Sequence, residues 1–125
     1  LILMTGCKVL PFFHSEGRQI ASLRKLRPRP LLAVHPETLA GLGIAPGAAV
    51  RVATPHGQAR FFAAADDGLP RDVVQADHAW WFPERQGPEH AWRESCANLL
   101  FGHEHFDPDC GAEPLKCGLC RIEAA

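Results

Sequence analysis

The 125-residue sequence contains no continuous apolar run of about 18 residues, the minimum for a membrane-spanning helix. It also lacks a secretory signal core, because Leu1-Ile2-Leu3 is too short and no basic segment precedes it. No internal repeat or low-complexity segment is present. These absences predict no direct membrane insertion. With 46% hydrophobic residues, a chain of this length can form one modest hydrophobic core. The first residue is not Met and the chain opens in an apolar, strand-like run, which suggests that residues 1–125 are a single domain cut from a longer polypeptide.

Positive and negative charges are divided unevenly between the two halves of the chain. Residues 1–62 carry 8 Lys and Arg against 2 Asp and Glu, whereas residues 63–125 carry 5 against 12. Either the basic half faces an anionic partner or the two halves neutralise each other across the fold. The basic run from Arg18 to Arg29 has no interleaved aromatic residue, so nucleic acid is not an expected partner.

Five cysteines form an odd set in a chain that does not look secreted, and we interpret them as mostly reduced thiols. Cys110, Cys117 and Cys120 form a C-x6-C-x2-C pattern just after His103 and His105, which would suit a structural zinc site. Only one C-x2-C pair is present, so small buried thiols are favoured. An independent binding module with a structural zinc is kept as the alternative.

Hydrophobic periodicity predicts closely spaced strands with little helix. Strands are expected at 31–34, 49–54, 58–65 and 72–76, and a two-turn helix at 35–42 with Pro36 at its first position. This pattern favours a mainly β fold with short helices, arranged as a small barrel or sandwich. From Pro83 to Pro114 the chain is predicted to be irregular, which is typical of a functional segment or one ordered by a partner.

The loop Pro11–Gln19 is the first candidate for ligand binding. It places an imidazole, a hydroxyl, a carboxylate, a glycine and a guanidinium at five consecutive positions, 14–18. Arg18 could clamp a phosphate through two parallel hydrogen bonds, and Gly17 lets the main chain approach a ligand. The alternative is a surface loop whose polar residues face water.

The same loop belongs to an ordered series of short motifs along nearly the whole chain. The series includes Met4-Thr5-Gly6, Phe13–Gln19, Leu23-Arg24, His35-Pro36, Leu42-Gly43-Ile44, Val50–Gly57, Trp80–Glu84, Ser95–Leu99, Asp107-Pro108 and Leu115–Arg121. In this order it resembles the C-terminal molybdopterin-dinucleotide-binding domain of the dimethyl sulfoxide reductase superfamily. The tryptophan cluster and the loop are most similar to the branch of thiosulfate reductase, polysulfide reductase and acetylene hydratase-like members.

The resemblance implies a six-stranded double-psi β-barrel that binds bis-molybdopterin guanine dinucleotide (bis-MGD) within a molybdenum or tungsten oxidoreductase. It assigns cofactor contacts to Thr5, Gly6, His14, Ser15, Glu16, Arg18, Trp81, Asn98 and Lys116. No catalytic residue and no metal ligand is expected in this chain, so the isolated domain would not be catalytic. The metal ligand and any iron–sulfur cluster would lie in the remaining domains of the same polypeptide, with an iron–sulfur electron-transfer subunit as a further partner. The compartment, cytoplasmic or periplasmic, stays open.

Two positions depart from the family pattern. Cys7-Lys8 stands where the family often has Arg, and Cys96 stands at the first position of its frequent Asn-x-Asn, leaving Asn98. One phosphate contact and one pterin contact are therefore expected to be weakened or lost. Trp80 and Trp81 have two possible roles. They contribute to the site, by stacking on a pterin or by closing a substrate channel, or they pack in the gap to a neighbouring domain. His35 and His56 are expected to be structural or solvated.

Overall fold

The fold consists of seven strands and a few short helices in a computed structural model that describes residues 1–102, 104 and 106–125. The strands are β1 (Ile2–Met4), β2 (Leu31–Val34), β3 (Ala49–Ala53), β4 (Gln58–Ala65), β5 (Val73–Ala76), β6 (Gly118–Leu119) and β7 (Arg121–Ala124). The helices are α1 (Ala21–Leu26), α2 (Pro36–Gly41) and two 3-10 helices, Trp92–Glu94 and Ala97–Leu100. The prediction of a mainly β fold with short helices is confirmed.

The predicted strands and the predicted helix form because their local patterns agree with their burial. In β3, Val50 and Val52 are buried and Arg51 is exposed, as expected for a strand with one face on the core. Helix α2 begins with Pro36, and the ring nitrogen Nδ1 of His35 accepts the Glu37 N–H at 3.1 Å. Helix α1 was not predicted, because the basic run has no buried residue that would give it an apolar stripe.

All seven strands belong to one sheet, in the order β6-β1-β5-β2-β4-β3-β7. The pairs β1–β5 and β2–β4 are parallel, and the other neighbours are antiparallel. Strands β6 and β7 lie at opposite ends of this order, yet only Cys120 separates them in sequence. Because consecutive Cα atoms are about 3.8 Å apart, the sheet must curl until its two ends meet.

The strand count differs from the six that the resemblance implies. The last strand is interrupted at Cys120, where the chain stops pairing with β1 and starts pairing with β3. Its two parts are therefore separate strands, which gives seven.

Two apolar clusters stabilise this arrangement. The larger lies on the buried face of the sheet and includes Leu3, Val50 and Phe61, each with no exposed surface. The smaller joins Val9, Phe12 and Trp80 beneath the loops. Within the part of the chain that the structure describes, no helix is long and apolar enough to cross a membrane.

One edge of the sheet collects the segments that carry the predicted site residues. Strands β1 and β5 are parallel and both end there, and β2, which is antiparallel to β5, begins there. The turn between β3 and β4 lies at the same edge, because β4 runs parallel to β2. We call this the loop edge. It comprises the segments after β1 and β5, those before β2 and β6, and the β3–β4 turn.

Candidate functional site

The turn at residues 13–16 presents three predicted contacts to solvent. The Glu16 N–H donates to the Phe13 carbonyl at 2.9 Å and closes the turn. His14 takes a left-handed backbone conformation with φ +49°, which favours glycine or a polar residue. The side chains of His14, Ser15 and Glu16 are exposed. Their imidazole, hydroxyl and carboxylate are therefore available to a ligand.

Thr5 and Gly6 follow β1 directly and differ in exposure. Thr5 is 1% exposed, and its N–H donates to the Leu115 carbonyl at 3.1 Å. Its hydroxyl has no hydrogen-bond partner among the residues that the structure describes. Gly6 is exposed with φ +84°, and no heavy atom in the described part of the chain lies within 4 Å of a Cβ built there. The backbone at Gly6 is open to close approach by an anion.

Trp81 joins the segment after β5 to the 13–16 turn. Its indole Nε1 donates to the Ser15 carbonyl at 2.6 Å, and its ring centroid is 5.3 Å from that of His90. The indole N–H is thus occupied within the protein. A ligand at Trp81 would meet the ring rather than the N–H.

Arg18 lies beneath the loop edge and has no exposed surface. Its guanidinium carbon is 3.9 Å from the ring centroid of Phe12 and 4.4 Å from that of Trp80. Its Nη2 donates to the carbonyl oxygens of His78 and Ala79, each at 3.3 Å. Burial lowers the pKa of Arg18 to about 10, so it remains charged at neutral pH. A direct phosphate clamp at Arg18 would require the loop to open.

Asp77 and Arg27 form a partly buried ion pair that the sequence analysis missed. The Asp77 carboxylate accepts two hydrogen bonds from Arg27, at 2.8 and 3.1 Å, and a third from the Leu31 N–H at 2.9 Å. Asp77 is 6% exposed, so the pair fixes the end of β5 against the start of β2. The sequence did contain a signal for this ion pair, because Asp77 is a carboxylate that directly follows the apolar strand β5.

His78 lies between the Asp77–Arg27 ion pair and the 13–16 turn. Its ring centroid is 5.8 Å from that of His14, and no described residue is a hydrogen-bond partner of its buried Nδ1. Burial lowers the pKa of His78 below its ordinary value, which favours the neutral imidazole.

Asn98 and Lys116 lie at two further places along the loop edge, Asn98 beside the β3–β4 turn and Lys116 beside Thr5. Asn98 is exposed on the 3-10 helix Ala97–Leu100, which the β3–β4 turn holds through a 2.8 Å hydrogen bond from Thr54 Oγ1 to the Leu100 carbonyl. It lines a cavity of about 610 Å³ whose wall also includes His56, so His56 lies closer to the candidate site than expected. Lys116 is exposed immediately after Leu115, the partner of Thr5.

The interior beneath the loops is positive and rich in donors. The guanidinium groups of Arg18 and Arg27 lie there near the buried carboxylate of Asp77, and Arg24 lies at the border, where it pairs with the exposed Glu84. Across the described residues, the buried side-chain atoms that lack a partner belong to this region: Thr5 Oγ1, Arg18 Nε and Nη1, Arg24 Nη1, His78 Nδ1 and Trp80 Nε1. Most are N–H donors, so the region beneath the loop edge is electropositive, which favours an anionic ligand above it.

The residues considered for zinc do not form a cluster in the described part of the chain. No group of three or more His, Cys, Asp or Glu side chains there is arranged to hold a metal ion. Cys110 and Cys117 are exposed and Cys120 is half-buried, all as free thiols. Burial raises the pKa of the Cys120 thiol. His103 and His105 lie outside the described residues.

Comparison with known proteins gives consistent relatives. A family model described as "Molydopterin dinucleotide binding domain" matches residues 1–118. Dopamine dehydroxylase from Eggerthella lenta is 35% identical over 125 residues, covering 100% of this chain and 12% of that protein. Acetylene hydratase from Syntrophotalea acetylenica is 30% identical over 125 residues, covering 95% of this chain and 17% of that protein.

A solved structure extends the agreement to three dimensions. Acetylene hydratase from Pelobacter acetylenicus superposes with a TM-score of 0.92 at 26% identity, over 100% of this chain and 18% of that one. The chain spans less than a fifth of the length of each of these three relatives. Because the family model covers nearly all of it, the chain belongs to the family of molybdopterin dinucleotide-binding domains.

Proposed function

We propose that the loop edge binds the dinucleotide tail and the pterin edges of bis-MGD. The open backbone at Gly6 and the hydroxyl of Thr5 would meet a phosphate, together with His14, Ser15 and Glu16 on the neighbouring turn. Asn98 would pair with a pterin edge, because its amide is both donor and acceptor, and Lys116 would meet a pyrophosphate or a pterin carbonyl. Trp81 would offer its ring face.

The observation that carries this proposal is the gathering of these residues at one edge. They come from segments far apart in the sequence, yet each of those segments lies at the loop edge. The positive, donor-rich interior beneath them favours an anionic ligand of the dinucleotide class.

For the whole protein, we propose a larger molybdenum or tungsten oxidoreductase in which this chain is one domain that supplies no catalytic residue. When bound, the metallopterin supplies the redox chemistry, and this chain binds and orients it. The metal ligand and any iron–sulfur cluster would come from the remaining domains, and an iron–sulfur subunit would exchange electrons with them. The curled sheet is proposed to be a double-psi barrel, which the joining of its two ends at Cys120 supports.

Asn98→Ala and Lys116→Ala in the full-length enzyme test the site. Both side chains are exposed, so we expect no change in folding and a roughly tenfold weaker retention of pterin on dilution, the scale of a lost polar contact. Arg71→Ala is the control, because Arg71 is exposed at the opposite edge, just before β5. Pterin and metal content per protein is the measurement. Full retention in both variants would contradict the proposed contacts.

A further inference from the structure

We propose that Arg18 is a positioning residue that acts from beneath the loop edge. Its buried guanidinium joins the 12–19 loop to the segment 77–81, and thereby holds the candidate cofactor contacts in place without touching the cofactor. The proposal rests on the proposed function for the identity of the ligand. The joining of the two loops is independent of it.

The guanidinium is enclosed by groups from both loops. Phe12 comes from its own loop and Trp80 from the other, with ring centroids 3.9 and 4.4 Å from the guanidinium carbon. The two rings are nearly perpendicular and their centroids are 5.9 Å apart, so they form a corner around the guanidinium. Its hydrogen bonds go to the carbonyls of His78 and Ala79, which are 60 and 61 residues away in sequence. Arg18 is therefore a long-range cross-link between two segments that have no regular secondary structure.

Every residue from 77 to 81 is held by a residue between 12 and 27. Arg27 holds the Asp77 carboxylate, Arg18 holds the next two carbonyls and stacks on Trp80, and the Ser15 carbonyl accepts from Trp81. These contacts fix Ala79 at φ +55°, a left-handed conformation that is costly for a residue with a Cβ. Removal of Arg18 would leave that conformation with less support.

The choice of an arginine here is specific in physical terms. A planar guanidinium can lie against two aromatic rings and donate to two carbonyls at once, which a lysine ammonium or an apolar chain cannot do together. Burying an unpaired charge is unfavourable, so an arginine that served only to fill space would be improved by a neutral side chain of similar length. Methionine and lysine substitutions therefore separate packing from positioning.

Hydrogen exchange of the full-length apoenzyme, produced without cofactor, tests the cross-link. In Arg18→Met we expect exchange at peptides covering 12–19 and 77–82 to rise roughly tenfold or more, the scale of losing hydrogen bonds to a charged group. Arg18→Lys keeps the charge and donors, so we expect it to restore most of the protection. The holoenzyme variants are expected to lose pterin on desalting in the same order, Met more than Lys. Arg71→Met, an exposed arginine at the opposite edge, is the control.

Two outcomes would overturn the proposal. If Arg18→Met loses pterin while apoenzyme exchange is unchanged, Arg18 contacts the cofactor directly. If methionine protects both peptides as well as lysine or better, Arg18 only fills space. Should Arg18→Met fail to accumulate, Phe12→Leu removes one of the two rings against the guanidinium and is expected to raise exchange in the distant 77–82 peptide. The absence of a rise there would also overturn the proposal. If the wild-type enzyme carries no pterin, the proposed function fails while the exchange result still decides the cross-link.

Discussion

Replacing Thr5 by Val distinguishes a hydroxyl that meets a ligand from one that serves the fold. Thr5 is 1% exposed and its Oγ1 has no partner among the described residues. Valine has nearly the same shape and suits the extended backbone after β1, so the substitution removes the hydroxyl and little else.

The magnitude follows from the missing partner. A buried polar group without a hydrogen bond costs about 1–3 kcal/mol of stability, so Thr5→Val is expected to stabilise the apo form by about 1 kcal/mol. In the holoenzyme the same change removes a proposed contact, so cofactor binding is expected to weaken by roughly three- to tenfold. Opposite signs in the apo and bound states are the signature of a hydroxyl that meets a ligand.

Urea unfolding of the 125-residue chain, followed by tryptophan fluorescence, measures the first effect, and pterin retention in the full-length enzyme measures the second. Thr54→Val is the matched control, because Thr54 Oγ1 donates to Leu100 at 2.8 Å and accepts from the His56 N–H at 3.2 Å. That control is expected to destabilise the chain by about 1–2 kcal/mol. A comparable destabilisation by Thr5→Val would refute the reasoning.

Two further predictions concern the loops around the site. Gly57→Ala should destabilise the chain and displace the 3-10 helix that carries Asn98, because a Cβ at Gly57 would overlap the Leu99 carbonyl oxygen. Gly41→Ala, at the end of α2, is the control: its Cβ would meet no described atom, so it should stabilise the chain by about 0.5–1 kcal/mol. The same urea titration measures both. His78, whose pKa burial lowers, should make stability fall as pH drops below about 6.5, because the unfolded chain then binds more protons than the folded one. Subtracting the His78→Gln stability curve between pH 7 and pH 5 isolates this effect; parallel curves for the two proteins would contradict it.

Strands β2 to β5 were predicted from the sequence because their signals are local. Alternation in β3 and β4 and the Pro36 start of α2 can each be seen within a few residues, and the family motifs place the loops between them. The count of seven strands could not be predicted, because it depends on the change of partner at Cys120. The curling of the sheet agrees with the expectation of a small barrel.

Arg18 shows why the candidate site was harder to predict than the fold. In the sequence it is one polar residue among five, and a phosphate clamp is a reasonable interpretation of a loop arginine. Its orientation is decided by Trp80 and the carbonyls of residues 78 and 79, about 60 residues away, and no local pattern contains that information. Asp77 was missed for the same reason, since its partner Arg27 is 50 residues distant.

A structure of the full-length enzyme with its cofactor bound tests the central claim most directly. We expect phosphate oxygens within hydrogen-bond distance, about 3 Å, of the Gly6 backbone or the 13–16 turn, and a pterin beside Asn98. Arg18 should remain beneath them, on the carbonyls of His78 and Ala79. A cofactor seated at the opposite edge of the sheet, beside α2 and residues 66–72, would contradict the account.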